Sequence, residues 1–312
     1  MENLQLCFRA IAPLLILMLL GYALKRLKII TADGFHALDG LCFKIVIPIM
    51  LFYNIYTADL SAGIQPKAIL FMECGLILIC LVSFLIVPRR YKNADDAITI
   101  IHALCHGNLA VLGLPLIANL FGESNMAIYS IMVACTSPII NPMMVFEHEY
   151  YAGHRVSPAK LVKNIFSSPF LIGTLLGILF KLLQITLPDI VFSSVASVRS
   201  MATPLCLIAL GGSFYFTDIT RYKKEVPLAV FLRCVAIPAA VLTTAVLLGF
   251  RGIVLASLMA IFASPSATAT YSFCSSYSGN STLAAQIVVY SSLVSIFTLF
   301  LWLFTFLQLG FI

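Results

Sequence analysis

Stretches of apolar residues long enough to cross ~30 Å of hydrocarbon at 1.5 Å per residue follow one another along this chain from end to end. They fall at about 5 to 24, 37 to 56, 67 to 87, 97 to 120, 125 to 146, 169 to 186, 190 to 215, 227 to 248, 253 to 275 and 283 to 308. Of the 312 residues 61% are hydrophobic and only 10% charged, against roughly a quarter charged in soluble domains. A lipid environment requires each segment to satisfy its own backbone hydrogen bonds. The sequence therefore predicts an all-α polytopic membrane protein of ten transmembrane helices. The first run reads as a retained helix rather than a cleaved leader. Met1-Glu2 supplies no basic region, Arg9 interrupts the apolar stretch, and no small-residue cleavage site follows.

The formal net charge of +6 is distributed in a way that speaks for membrane topology rather than nucleic acid. Lys and Arg crowd the alternate loops near 25–28, 89–92, 155–163 and 221–224, while the intervening side has Arg9, Lys67, Lys181 and Arg251. By the positive-inside rule the crowded loops are cytoplasmic and both termini extracytoplasmic. The expected location is the plasma membrane, or the inner membrane in a bacterium. Nine cysteines are scattered through the spans without a C-x-x-C pair, which reads as small apolar packing residues, with no metal site and no disulfide framework. No P-loop, G-x-S-x-G or G-x-G-x-x-G motif is present, so neither an enzyme, an ATP-driven pump nor a bound cofactor is expected.

The chain also resembles itself. "APLLILMLLGYALKRLKIITAD", from Ala12 to Asp33, falls on "SPFLIGTLLGILFKLLQITLPD", from Ser168 to Asp189, without a gap. Matches of Leu and Ile are cheap in this composition; those in scarce residue types are Pro13/Pro169, Gly21/Gly177, Lys25/Lys181, Asp33/Asp189 and Pro48/Pro204. Two halves follow, 1–150 and 169–312, joined by a short cytoplasmic linker at 151–168. Each holds five spans, an odd number, so the second half enters the membrane inverted.

Within this frame the fourth and ninth spans are both broken. "HGNLAVLGLPLIANLFG" (His106 to Gly122) corresponds to "ASPSATATYSFCSSYSG" (Ala263 to Gly279). Proline removes a backbone donor and glycine opens the backbone, and orphaned amides in hydrocarbon cost several kcal/mol each. Paired discontinuous helices in matching positions of inverted halves are the strongest sequence pointer to a transporter's midplane site.

"GNLAVLGLPLIANLFGE", together with "ATPLCLIALGGSF" and the ninth-span Pro265, resembles the auxin efflux carrier family, which includes the plant PIN-FORMED auxin transporters and bacterial malate and malonate permeases. The resemblance implies two inverted five-helix repeats whose broken helices 4 and 9 cross where an anionic substrate binds. It assigns Asn108 to the family's crossover asparagine and Pro115 and Pro265 to its crossover prolines. It further implies a moving bundle of helices three to five and eight to ten against a scaffold of helices one, two, six and seven, for which a homodimer is a compatible assembly. The chain departs from plant carriers in its short central link, which weakens the case for auxin itself.

Candidate substrate-binding residues are therefore Gly107, Asn108, Pro115, Ser264, Pro265, Ser266 and Thr268 at the crossover. Charges inside the spans are Lys44, Glu73, Arg199 and Arg233. Arg199, about 14 Å into its helix, reads as a substrate contact. Lys44 is divided between that role and snorkelling, and Arg233 reads as snorkelling. Asn54 and Asn141 are weaker candidates that could instead bond between helices. Glu73 and His106 are candidate coupling groups, although Glu73 reads more strongly as a partner for a cation inside the bundle. The expected partners are a small organic anion and the bilayer. Two alternatives stand beside this reading: a gated anion channel of the same fold, and a transition-metal exporter using His102 and His106, spaced i, i+4 beside Cys105. The cluster "EHEYYAGH", Glu147 to His154, reads as a solvated loop.

Overall fold

A computed structural model describes residues 2–57, 65–122, 125–151, 163, 166–214, 219–276 and 279–312. The described residues are helical almost throughout: α1 Glu2–Arg26, α2 Ala32–Tyr56, α3 Pro66–Arg90, α4 Ala94–Cys105, α5 Leu109–Phe121, α6 Met126–Tyr151, α7 Pro169–Leu182, α8 Asp189–Gly212, α9 Glu225–Leu247, α10 Gly252–Phe262, α11 Ala269–Ser276 and α12 Ser281–Gln308. Six of these, α1, α2, α3, α8, α9 and α12, are long and apolar enough to cross a membrane. α5, α7, α10 and the first part of α6 are shorter apolar helices. Large apolar side chains face outward, among them Ile190, Leu247 and Phe297, as expected of a surface solvated by lipid. Most of the linker expected at 151–168 lies outside the described residues.

Local chemistry sets the helix ends. Thr31 Oγ1 accepts from the Gly34 N–H at 3.2 Å, Asn93 Oδ1 from Asp95 at 2.9 Å, and Asn280 Oδ1 from Leu283 at 3.1 Å, each at an N-terminus with open amides. Pro66 and Pro169 open α3 and α7, where a missing N–H costs nothing. Inside the helices proline acts differently. Three widened π-turns, Cys42–Val46, Leu109–Gly113 and Leu232–Ala236, each end two residues before a proline, Pro48, Pro115 and Pro238. The extra residue per turn gives the ring room against the preceding carbonyls.

Close helix pairs organise the described residues, and α1 and α2 also touch α5, α6 and α12. α1 packs along α8, α2 along α7, and α2 also along α8. These contacts are close because their glycines lack side chains. A Cβ on Gly21 would overlap the Ile208 carbonyl, one on Gly211 the Met18 carbonyl, and one on Gly173 the Pro48 carbonyl. Elsewhere α4 lies against α3, α6 and α12, and α10 against α5, α6 and α9.

One sequence expectation is corrected here. The helix starting at Met126 does not stop near 146 but continues to Tyr151, so Glu147 sits on α6 with 1% of its surface exposed rather than on a solvated loop. The apolar run ended because acidic residues entered it, yet the helix has one face turned inward there, and a single buried acid can be matched by a partner from a neighbouring helix.

Candidate functional site

α4 ends at Cys105 and α10 ends at Phe262. Beyond these ends Gly107 and Ser266 form an isolated antiparallel bridge. The Asn108 N–H donates to the Pro265 carbonyl at 2.8 Å, and the Ala267 N–H donates to the His106 carbonyl at 2.8 Å. Pro265 has no N–H of its own, so it can join this pairing only as an acceptor. Ser266 is fixed from both sides: its N–H donates to Ser291 Oγ on α12 at 3.1 Å and its hydroxyl to the Ala103 carbonyl at 2.9 Å. Each broken strand thus supplies the backbone partners that the other lacks, which is what a chain interrupted away from water requires.

Two helix C-termini meet here, and their free carbonyls carry partial negative charge. Arg233, on the third π-turn, answers both. Its Nε donates to the Ser264 carbonyl at 3.0 Å, Nη1 to the Leu104 carbonyl at 3.1 Å, and Nη2 to Ser264 Oγ at 3.1 Å. The side chain is 1% exposed. This corrects the expectation that Arg233 snorkels: its planar fork reaches several carbonyls at once, which holds it inside. Gly107 is required beside it, because a Cβ there would overlap the guanidinium.

α5 begins at Leu109 and α11 at Ala269, just beyond the two breaks, and the first N–H groups of a helix have no partner within it. Asn108 is 2% exposed and its Nδ2 has no hydrogen-bond partner among the described residues. Tyr129 on α6 donates to the Leu109 carbonyl at 2.7 Å and fixes the start of α5. Pro115, one turn further along α5, is buried. Thr268 lines a small cleft with Tyr271, whose other wall is His36 and Asp39 from α2 and Ser213 after α8. Ser213 donates to Asp39 Oδ2 at 2.8 Å, and the His36 ring stacks on Tyr271 with centroids 5.9 Å apart.

His106 Nε2 lies 3.1 Å from Glu147 Oε2, with both side chains buried. Glu147 Oε1 has no hydrogen-bond partner among the described residues. The rings of His102 and His106 meet edge to face with centroids 4.3 Å apart. Among the described residues the donor atoms of Cys80, Cys105 and Glu147 lie within 4.8 Å of one another, and the two histidines are not part of that group.

The remaining sequence candidates lie elsewhere. Asn54 Nδ2 donates to Ser130 Oγ on α6 at 3.2 Å, an interhelical bond. Lys44 is exposed on α2, which places it among outward-facing residues rather than at the crossover. Arg199 on α8 lies over the Tyr53 ring at 5.5 Å, so it packs on an aromatic face of α2. Glu73 on α3 is half-buried; neither carboxylate oxygen has a hydrogen-bond partner and no ion pair involves it among the described residues. The side chain of Asn141 lies outside the described residues. Sequence reasoning missed Asp39, His36, Glu147 and Gln286, the last fully buried on α12. Asp39 carried a usable signal, a carboxylate inside an apolar run; Glu147 carried none, because its run had already ended.

An apolar helical bundle whose polar groups converge on two mutually paired chain breaks is built as a membrane transporter. The family model described as "Membrane transport protein" matches residues 6–155 and again 152–303. The chain belongs to this family, the auxin efflux carriers whose motifs its fourth and ninth spans resemble. It is similar to an uncharacterized transporter of Methanothermobacter thermautotrophicus, 25% identical over 246 residues, covering 78% of this chain and 80% of that one. It is also similar to an uncharacterized transporter of Methanocaldococcus jannaschii, 23% identical over 301 residues, covering 92% and 95%.

Proposed function

We propose that the protein is a secondary transporter for a small organic anion, a carboxylate such as malate or malonate or an auxin-like weak acid, working by alternating access. The observation that carries this reading is the reciprocal backbone pairing of Asn108 with Pro265 and of His106 with Ala267, with the Asn108 amide left unused beside it. Arg233 neutralises the carbonyl ends of α4 and α10, so the field left at the crossover is that of the N–H ends of α5 and α11. Such ends bind carboxylates. Gly107, Ser264, Pro265 and Ser266 shape the crossover, and Thr268 opens it to the cleft.

The architecture proposed is ten spans in two inverted five-helix halves, α4 with α5 forming the fourth span and α10 with α11 the ninth. The match of one family model to each half supports it. α1, α2, α7 and α8 are the scaffold, and the rest move against it with the cleft of His36 and Asp39 as the path between. The loop charges put both termini outside the cell. Glu73 is the better coupling candidate, since His106 is committed to Glu147.

Thermal-shift binding of the purified protein against a panel of carboxylates tests the proposal. One acid is expected to stabilise the wild type, and Asn108→Ala to remove that stabilisation while the unliganded melting midpoint stays put. Saturable counterflow of the same acid in proteoliposomes is the expected signature of a carrier; flux without counterflow sinks it in favour of a channel. Asp39 repels a dianion more than a monoanion, so Asp39→Asn is expected to shift preference toward dicarboxylates in the same panel.

A further inference from the structure

We infer that Cys80, Cys105 and Glu147 form a binding site for a thiophilic divalent metal ion of the zinc group. The three come from different elements, Cys80 from the middle of α3, Cys105 from the last residue of α4 and Glu147 from the last turn of α6. Their ligand atoms, two Sγ and a carboxylate oxygen, all lie within 4.8 Å of one another, and all three residues are buried. A zinc ion with sulfur at ~2.3 Å and oxygen at ~2.0–2.2 Å needs donors roughly 3.5–3.8 Å apart. The donors therefore stand within roughly 1.3 Å of that spacing.

A buried pair of thiols is ordinary packing, and two further observations separate this group from it. Glu147 Oε2 is held by His106 while Oε1 has no hydrogen-bond partner among the described residues, so one oxygen of a buried carboxylate is left unused next to two thiols. The charges also close. Arg233 is buried within electrostatic reach of both cysteines, and a dication together with this guanidinium balances two thiolates and one carboxylate. As the metal–sulfur bonds form, each thiol releases its proton to solvent. The donor set selects the ion: two soft sulfurs favour zinc or cadmium and disfavour magnesium or calcium, which take oxygen ligands. Three protein ligands leave one coordination position open. His106 is a positioning residue that orients the carboxylate through its far oxygen. The site is independent of which anion the protein carries.

The test uses full-length protein in detergent, freed of metal with a chelator and titrated with Cd2+ while the ultraviolet thiolate-to-metal charge-transfer band is followed. About one ion per chain is expected. Loss of an outer-shell partner alone typically weakens metal binding about 10–100-fold. Cys80→Ser, Cys105→Ser and Glu147→Gln are therefore each expected to weaken it by more than ~10-fold, and His106→Ala by about 10-fold. The double variant Cys42→Ser/Cys206→Ser removes a different neighbouring thiol pair and is expected to bind like the wild type. A wild type without the band, or a Cys80→Ser/Cys105→Ser variant that keeps it, overturns the inference. Should the variants fail to fold, X-ray absorption of the zinc-loaded wild type decides: two sulfur neighbours at ~2.3 Å support the site, and a shell of oxygen and nitrogen only removes it.

Discussion

Arg233 shows how a single side chain can hold a broken helix pair in place. Its fork bonds the ends of α4 and α10 together, so loss of the guanidinium strands the carbonyls of Leu104 and Ser264 at once. Each unsatisfied buried group costs about 1–3 kcal/mol. Arg233→Met is expected to lower the melting midpoint sharply in a detergent thermal-shift assay. Arg233→Lys is expected to recover only part of the loss, since one ammonium cannot reach both helix ends in the plane that the guanidinium occupies. Gly107→Ala acts on the same spot from the other strand. Its Cβ would collide with the guanidinium, and such overpacking costs about 1–3 kcal/mol. In the double variant Gly107→Ala/Arg233→Met the part of that cost due to the guanidinium is expected to disappear while the clash with Ser264 Oγ remains, a non-additivity that a double-mutant cycle measures directly.

Between residue and molecule stand the π-turns and the caps. A proline two residues after each π-turn makes the widened turn the local solution to a missing N–H and a crowded ring. It also rotates the side chains before it relative to those after it, and the turn before Pro238 carries Arg233 to the crossover. Pro238→Ala is expected to let the turn relax toward α-helical geometry and to lower substrate affinity, measured by the carboxylate titration, more than it lowers the melting midpoint. At the start of α12, Asn280 does three jobs: its Oδ1 caps Leu283, and its Nδ2 donates to Asp96 on α4 at 2.7 Å and to the Tyr222 hydroxyl at 2.6 Å. Asn280→Ala removes a cap worth about 1 kcal/mol and two interhelical bonds, so its effect on the melting midpoint is expected to exceed that of Thr31→Ala, whose cap stands alone.

At the scale of the molecule, Gly21 and Gly211 draw α1 and α8 together, and Gly173 and Gly177 draw α7 onto α2. These contacts join the first half of the chain to the second, and they are rigid because backbone touches backbone. Gly211→Leu is expected to abolish a stable fold, read as loss of a monodisperse peak in gel filtration. On the proposed mechanism, the contacts between these helices and the rest that are made by side chains, such as Asn54 with Ser130, are the ones that exchange during transport. A double cysteine variant Asn54→Cys/Ser130→Cys, cross-linked by a thiol reagent, is expected to stop counterflow, and reduction to restore it; continued transport under full cross-linking would remove the proposed division into scaffold and moving bundle.

The helical class, the apolar character of the helices and the two chain breaks were legible in the sequence because they follow from local physics: apolar length, glycine and proline. The place of Gly107, Asn108, Ser264, Pro265 and Ser266 at the breaks was legible for the same reason, since a break announces itself where it occurs. What the sequence could not contain is which distant group meets the break. Arg233 and Lys44 look alike along the chain, each on a π-turn ahead of a proline, yet one is buried against two helix ends and the other faces outward. Glu147 looked like the start of a loop and is buried against His106. Whether a charge is paired or exposed depends on the rotation of its helix and on the neighbour that rotation turns it toward. Only packing of the whole chain sets those two quantities.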